Sequence, residues 1–217
     1  IEACTIDKET MIPTFKIIGG EGQKPVGLCG SGIIDVISEL FRCGIINPKG
    51  KFIREGERVH RDKYGMGSYV LAFKEDAASV KDIEITEVDI DNFIRAKGAI
   101  FSAICVMLRS LDFDVSMIDH IYVAGGIGSG INMKNAVYIG MFPDVDMEKF
   151  SYIGNSSLSG AYAILLSTEA QRKVAEVAHN MTYLELSNEP TYMDELVASC
   201  FIPHTDASLF PSNQEAR

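Results

Sequence analysis

The chain has 217 residues, enough for one large domain or two small ones. Hydrophobic residues make up 47% of it, which supports a packed core and argues against disorder. Its 30 acidic and 20 basic residues give a formal charge of -10, without the basic stripe that a nucleic-acid partner requires.

No apolar run reaches the roughly 20 residues that span a bilayer, so no membrane partner is read. The longest run, Ala99 to Leu108, is broken by Ser102 and followed by Arg109. No signal peptide is recognisable, and the first residue is Ile rather than Met, so the N-terminus reads as cut. Five scattered cysteines with no C-x-x-C pair fit a reducing cytoplasm and free thiols. They offer no set for a zinc or iron-sulfur site in this piece.

Ile1 to Asp7 and Thr14 to Ile18 read as strands, with a glycine turn at 19–22 after the second. Ile33, Ile34, Ile37, Leu40 and Phe41 have helical spacing, with Ser31 as N-cap and Gly44 at C′. Residues 47–66 read as a loop or small excursion, and Ser68 to Phe73 as a strand. Thr86 and Asp89 form an acidic capping box for a long helix. Its apolar face is Ile90, Phe93, Ile94, Ile100, Phe101, Ile104 and Leu108, with Lys97 as polar intruder. Ile121 to Ala124 reads as a buried strand, Asn132 to Ile139 as a short helix, and Phe150 to Gly154 as a strand. Two helices follow at 156–167 and 168–180, then a strand at Tyr183 to Leu186, a helix at Thr191 to Cys200 and a coiled tail. Alternation of this kind predicts an α/β layer fold.

The first candidate site is the strand end A-G-G-I-G-S-G. Gly125, Gly126, Gly128 and Gly130 place bare main chain where open α/β sheets bind ligands, with Ser129 among them as a further candidate contact. The helix start beyond it aims N–H groups at an anion. The alternative is a turn that merely needs glycine. The spacing is neither the dinucleotide fingerprint nor a P-loop. The second is Gly30-Ser31-Gly32, which opens the first helix and suits a phosphate, or else only a tight helix start. Two such starts point to a nucleotide held between them. The third is Lys97, read either as a snorkelling lysine or as an ammonium on ribose or phosphate oxygens. The four histidines are isolated, no metal-ligand set is read, and no nucleophile motif occurs.

Five segments carry a resemblance: GLCGSGIIDVISEL, DIDNFIRAKGAIFSAI, IYVAGGIGSGINMKNAVYIGMFPD, NSSLSGAYAILLS and FIPHTDASLFPS. Together they touch most of residues 27–212 and resemble the carboxyl-terminal part of the reductive activators of corrinoid proteins. These are ATPases of the acetate and sugar kinase/Hsp70/actin superfamily. The A-G-G-I-G segment is common across that superfamily, whereas the R-A-K-G-A-I and P-H-T-D segments are more specific.

The resemblance implies a ribonuclease H-like, actin-like ATPase lobe with a mixed sheet flanked by helices. Residues 1–180 would be its core and 181–217 a terminal strand, helix and tail. It implies adenosine contact at Gly125, Gly126 and Gly128, ribose or phosphate contact at Lys97, and a hinge-side helix opened by Asn155 and Ser156. ATP, with Mg in the intact protein, would drive a conformational change. An electron would then reach a Co(II) corrinoid in a methyl-transfer protein and restore Co(I). An amino-terminal [2Fe-2S] domain and the first ATPase lobe are expected but have no counterpart in this sequence. The implied partners are a corrinoid protein, an adenine nucleotide and a second copy as homodimer. The ending at Arg217, without a cysteine-rich cluster domain, favours the O-demethylase or acetogenic type. The piece alone should hydrolyse ATP poorly. A metabolite-kinase lobe, a hydantoinase/carboxylase-type subunit and a docking module are the alternatives.

Overall fold

The computed structural model describes residues 1–20, 22–126 and 130–215, the side chains of 214 and 215 excepted. The order is β1 (Ala3–Ile6), β2 (Pro13–Lys16), α1 (Gly30–Arg42), β3 (Val59–Arg61), β4 (Gly67–Ala72), β5 (Ile83–Thr86) and α2 (Glu87–Ser110). Then come β6 (Ile121–Val123), α3 (Met133–Tyr138), β7 (Phe150–Tyr152), α4 (Ser156–Leu166), α5 (Thr168–Asn180), α6 (Tyr192–Ser199) and α7 (Ser212–Glu215). The fold is α/β, with the described strands in three small sheets: antiparallel β1-β2, antiparallel β3-β4-β5 and parallel β6-β7.

The main core forms because α1 buries Ile34, Val36, Ile37 and Leu40 against Cys4 and Ile6 of β1 and Tyr69 and Leu71 of β4. The spacing of those helix residues is the 3.6-residue period, and the strand residues alternate. Helix α1 ends where Gly44 takes φ +64°. The Gly44 N–H donates to the Phe41 carbonyl at 3.0 Å and the Ile45 N–H to the Leu40 carbonyl at 2.8 Å. That is the two-bond Schellman ending, and it needs a left-handed residue at Gly44. At the other end of the core, Thr86 caps α2. Its Oγ1 accepts from the Asp89 N–H at 3.2 Å, and its own N–H donates to Asp89 Oδ2 at 2.9 Å.

Several expectations change. The cap of α1 is Cys29, without a side-chain capping bond, so Ser31 is not the N-cap. The helix starts two residues earlier, at Gly30, and the Ser31 hydroxyl donates to the Glu2 carbonyl at 2.9 Å. Strand β6 is not buried: Tyr122 is 63% exposed, because β6 pairs only with β7 among the described residues. No strand forms at 183–186. That stretch has no pairing partner, and Glu185 instead caps a 3-10 turn at Leu186–Asn188. Strands β3 and β5 were not anticipated.

The face of α2 also rotates from the expected one. Its carboxyl half buries Lys97, Gly98, Phe101, Ser102, Cys105 and Val106, while Ile100 is exposed. Small residues win there because α6 packs on them. A Cβ at Gly98 would lie 3.1 Å from both the Ser199 carbonyl oxygen and Cys200 Sγ. The tail is not coil either. Ile202 and Phe210 are buried, and Phe210 stacks on Phe101 with ring centroids 5.3 Å apart.

Candidate functional site

Strands β6 and β7 run parallel, so their carboxyl ends lie side by side. Chain leaves them at Gly125 and Gly154, with φ of +106° and +72°. Both values lie in the region that favours glycine. The Gly125 N–H donates to the Gly154 carbonyl at 2.9 Å, which ties the two turns together. The Tyr152 hydroxyl donates to the Gly125 carbonyl at 2.7 Å. Among the described residues, a Cβ built on Gly125, Gly126 or Gly154 meets no atom within 4 Å. The space beyond the strand ends is therefore open main-chain surface rather than packed interior.

The second glycine segment comes to the same place. A Cβ on Gly130 would sit 3.2 Å from Ser31 Oγ, so the stretch after β6 closes onto the start of α1. Gly32 has a packing reason of its own, since a Cβ there would lie 2.4 Å from the Ile1 carbonyl oxygen. Gly30, the first residue of α1, is exposed. Gly128 and Ser129 lie outside the described residues. Among the described residues the structure brings Gly130 to Ser31 at the start of α1, and ties Gly125 to Gly154.

Lys97 is not part of that place. It is fully buried, and its Nζ donates to the carbonyls of Pro203 at 2.5 Å, Gly140 at 3.4 Å and Phe201. An ammonium has three protons, and all three go to main chain. The ribose or phosphate reading does not fit this position, and neither does snorkelling, because no part of the side chain reaches water. Burial pulls its pKa down from 10.5 to about 7, while three carbonyl acceptors favour the charged form. Gly140 is shaped to this contact, since a Cβ there would lie 2.2 Å from the Pro203 oxygen. The R-A-K-G-A-I segment and the P-H-T-D tail bind each other through Lys97 and the Phe201 and Pro203 carbonyls. His204 completes the join. Its Nδ1 accepts from the Asp206 N–H at 3.0 Å, so Nε2 carries the proton and donates to Glu195 Oε1 at 3.2 Å. The other Glu195 oxygen accepts from Arg109.

Sequence reasoning missed the polar cluster that holds α3. Asn132 caps α3 by accepting from the Asn135 N–H at 3.3 Å. The Asn135 amide donates to Asp35 Oδ1 at 2.7 Å and accepts from Arg42 at 2.9 Å. The Arg42 guanidinium lies 4.5 Å from the Tyr138 ring centroid. Asp35 and Glu39 also accept from the Cys4 and Ile6 N–H groups, at 3.3 and 3.0 Å. The available signal was acidic residues on a face of α1 otherwise apolar enough to be core. Beside this cluster a groove of about 400 Å3 runs between Val123, Phe150 and Tyr152 on one wall and Asn132 and Lys134 on the other.

The open glycine strand ends fit the adenosine side of a nucleotide, because only a backbone free of Cβ lets a flat ligand approach the main chain. The cysteines do not fit an iron-sulfur cluster. All five are free thiols, Cys4, Cys43 and Cys105 are buried, and no group of three metal-binding side chains gathers among the described residues. No described helix is long and apolar enough to cross a membrane.

A parallel strand pair ending at a glycine turn, followed by a stretch that meets the glycine-opened start of α1, is compatible with a domain of the acetate and sugar kinase/Hsp70/actin class, and similarity to known proteins places the chain in that class. Within that class, the family described as the C-terminal domain of RACo, the ASKHA domain, matches residues 1–214, and the chain belongs to it. A solved structure titled reductive activator for corrinoid, iron-sulfur protein superposes with a TM-score of 0.89 at 47% identity, over 97% of this chain and 33% of its own. The corrinoid activation enzyme RamQ of Eubacterium limosum is 30% identical over 189 residues, which is 83% of this chain and 32% of RamQ. The Co(II) methylated amine-specific corrinoid protein reductase of Methanosarcina barkeri is 25% identical over 178 residues, 79% of this chain and 28% of that enzyme. The chain spans about a third of the length of these relatives.

Proposed function

We propose that this domain supplies the adenosine-facing half of the ATP site in an activator that returns a Co(II) corrinoid protein to Co(I). The observation that carries the nucleotide part is the meeting of the two glycine segments, with open space over Gly125, Gly126 and Gly154. The names of the relatives carry the corrinoid part. Gly125, Gly126, Gly128 and Ser129 would take adenine and ribose. Gly30, Ser31 and Gly32, at the helix start, would face the phosphates. Magnesium and the rest of the triphosphate site would come from the longer protein. So would the [2Fe-2S] cluster, since no cysteine set here suits it. ATP would act by binding the closed arrangement of the two lobes more tightly than the open one; equal affinity would move nothing.

Calorimetric titration with ATP, ADP and a non-hydrolysable analogue tests the site. A Cβ at Gly126 meets no described atom within 4 Å, so Gly126→Val should weaken nucleotide binding by tenfold or more, with an unchanged circular-dichroism spectrum as the check that the chain still folds. Equal affinity in wild type and Gly126→Val would overturn the assignment. Turnover by this piece comparable to an intact activator would overturn the half-site reading.

A further inference from the structure

Charge is unevenly divided along this chain. Residues 47–66 hold six basic side chains (Lys49, Lys51, Arg54, Arg58, Arg61 and Lys63) against three acidic ones (Glu55, Glu57 and Asp62). The surplus of three sits in a molecule of total charge -10, so the remaining residues carry -13. Of the six, only Lys51 has a carboxylate partner among the described residues, Glu87 at 3.0 Å.

The three arginines are held by main chain instead. Arg54 donates to the carbonyls of Lys8 at 2.8 Å and Cys43 at 3.2 Å. Arg58 donates to those of Val70 and Leu71, and Arg61 to those of Gly65 and Phe52. A carbonyl fixes a guanidinium without cancelling its charge. These cations are therefore both uncompensated and preorganised, which lowers the ordering cost of binding.

The Lys8 and Cys43 residues that hold Arg54 line a groove of about 610 Å3 at the base of the excursion. Its walls include Lys8 and the ion pair of Arg42 with Glu39, and its apolar lining includes Phe41, Pro48 and Ile53. Ile53 is 60% exposed, an apolar side chain offered to solvent beside unpaired positive charge.

We propose that this groove and excursion are a docking face for an acidic protein surface, with carboxylates meeting Lys8 and Arg54 and an apolar side chain seated on Ile53. Complementary charge of this kind sets association rate and salt dependence. If the corrinoid reading above is right, the docked protein is the corrinoid protein itself, and this identification rests on that reading.

The test uses the whole chain and two probes: the purified corrinoid protein and poly-L-glutamate. Lys8→Glu/Lys49→Glu reverses two exposed lysines, and Ile53→Ser removes the apolar seat. Lys74→Glu/Lys81→Glu, outside the excursion, controls for total charge. Binding is measured by interferometry across a salt series. We expect the lysine pair to lose at least tenfold in affinity and to flatten the salt slope. Ile53→Ser should lose affinity without changing that slope, and the control should bind as wild type does. Variants that match wild type, an equal loss in the control, or no binding of either probe by wild type would overturn the docking face. Binding of poly-L-glutamate that the lysine pair abolishes, with no binding of the corrinoid protein, would keep the face and sink the corrinoid reading. A salt-sensitive dimer seen in sedimentation and lost in the lysine pair would make the occupant a second copy, and overturn the proposal.

Discussion

Lys97 shows how a buried charge can be structural. It has no carboxylate partner, and three carbonyls from two distant stretches converge on it. Lys97→Ala strands those carbonyls in the interior, and buried acceptors without donors are costly. We expect a loss of about 3–5 kcal/mol in urea unfolding, with nucleotide affinity of the folded fraction unchanged. The thiols give a second residue-scale test. Burial and the nearby Glu39 and Asp35 carboxylates push Cys4 up to about 12, and burial with Glu195 pushes Cys105 up to about 11. A raised thiol is a neutral group the fold prefers, while the unfolded chain ionises near 9. Their contribution is therefore complete below about pH 9 and lost as pH rises towards 11–12. Melting from pH 8 to 11 should show wild type losing more stability than Cys4→Ala over that range; parallel curves would contradict the buried-thiol account. Cys29 goes the other way. Burial raises its pKa, but hydrogen bonding with the Ser31 side chain and with the Gly32 and Ser31 N–H groups outweighs that and lowers it. A disulfide reagent at neutral pH should label Cys29 well before Cys4, Cys43 and Cys105.

Helix α3 is the element that connects the site to the tail. Its start follows the glycine segment, its middle is held by Asp35 and Arg42 through Asn135, and its end at Gly140 is pressed onto Pro203. Gly140→Ala faces both a φ of +77° and a Cβ 2.2 Å from the Pro203 oxygen. Either α3 or the tail must move, at about 1–3 kcal/mol. A drop in melting temperature checks this, and an unchanged one would show that the join yields freely. The periodic elements were legible in advance: α1 from its apolar stripe and Gly44, α2 from Thr86 and Asp89, and the glycine strand end from A-G-G. What escaped had no periodic signal. The join of Lys97 to residues 201–203 links positions more than a hundred apart in sequence. The buried face of α2 runs through Gly98, Ser102 and Cys105, where contact with α6 selects small residues and an apolar count points elsewhere. Strand β5 could have been read from Ile83-Glu84-Ile85, whose alternation the structure repeats as buried, exposed, buried.

At the scale of the molecule, burial is lopsided. Helix α1 is buried along nine of its residues, whereas α4 and α5 bury none. Yet α4 reads S-S-L-S-G-A-Y-A-I-L-L, a composition normally found inside proteins, and Leu165 is 81% exposed. One residue, Ser167, joins α4 to α5. Contiguous apolar surface of this kind is aggregation-prone when left to water. The asymmetry makes a differential prediction. Ile37 sits in the core at 0% exposure, so Ile37→Ala should cost about 2–5 kcal/mol through lost burial and a residual cavity. Leu165→Lys/Leu166→Lys removes more apolar surface but touches no packed interior, so its cost should stay within about 0.5 kcal/mol per site. The same double substitution should lower the binding of a hydrophobic dye and the self-association seen in sedimentation at rising concentration. If it instead unfolds the chain as readily as Ile37→Ala, α4 is packed in solution and the lopsided burial is not a property of the folded chain.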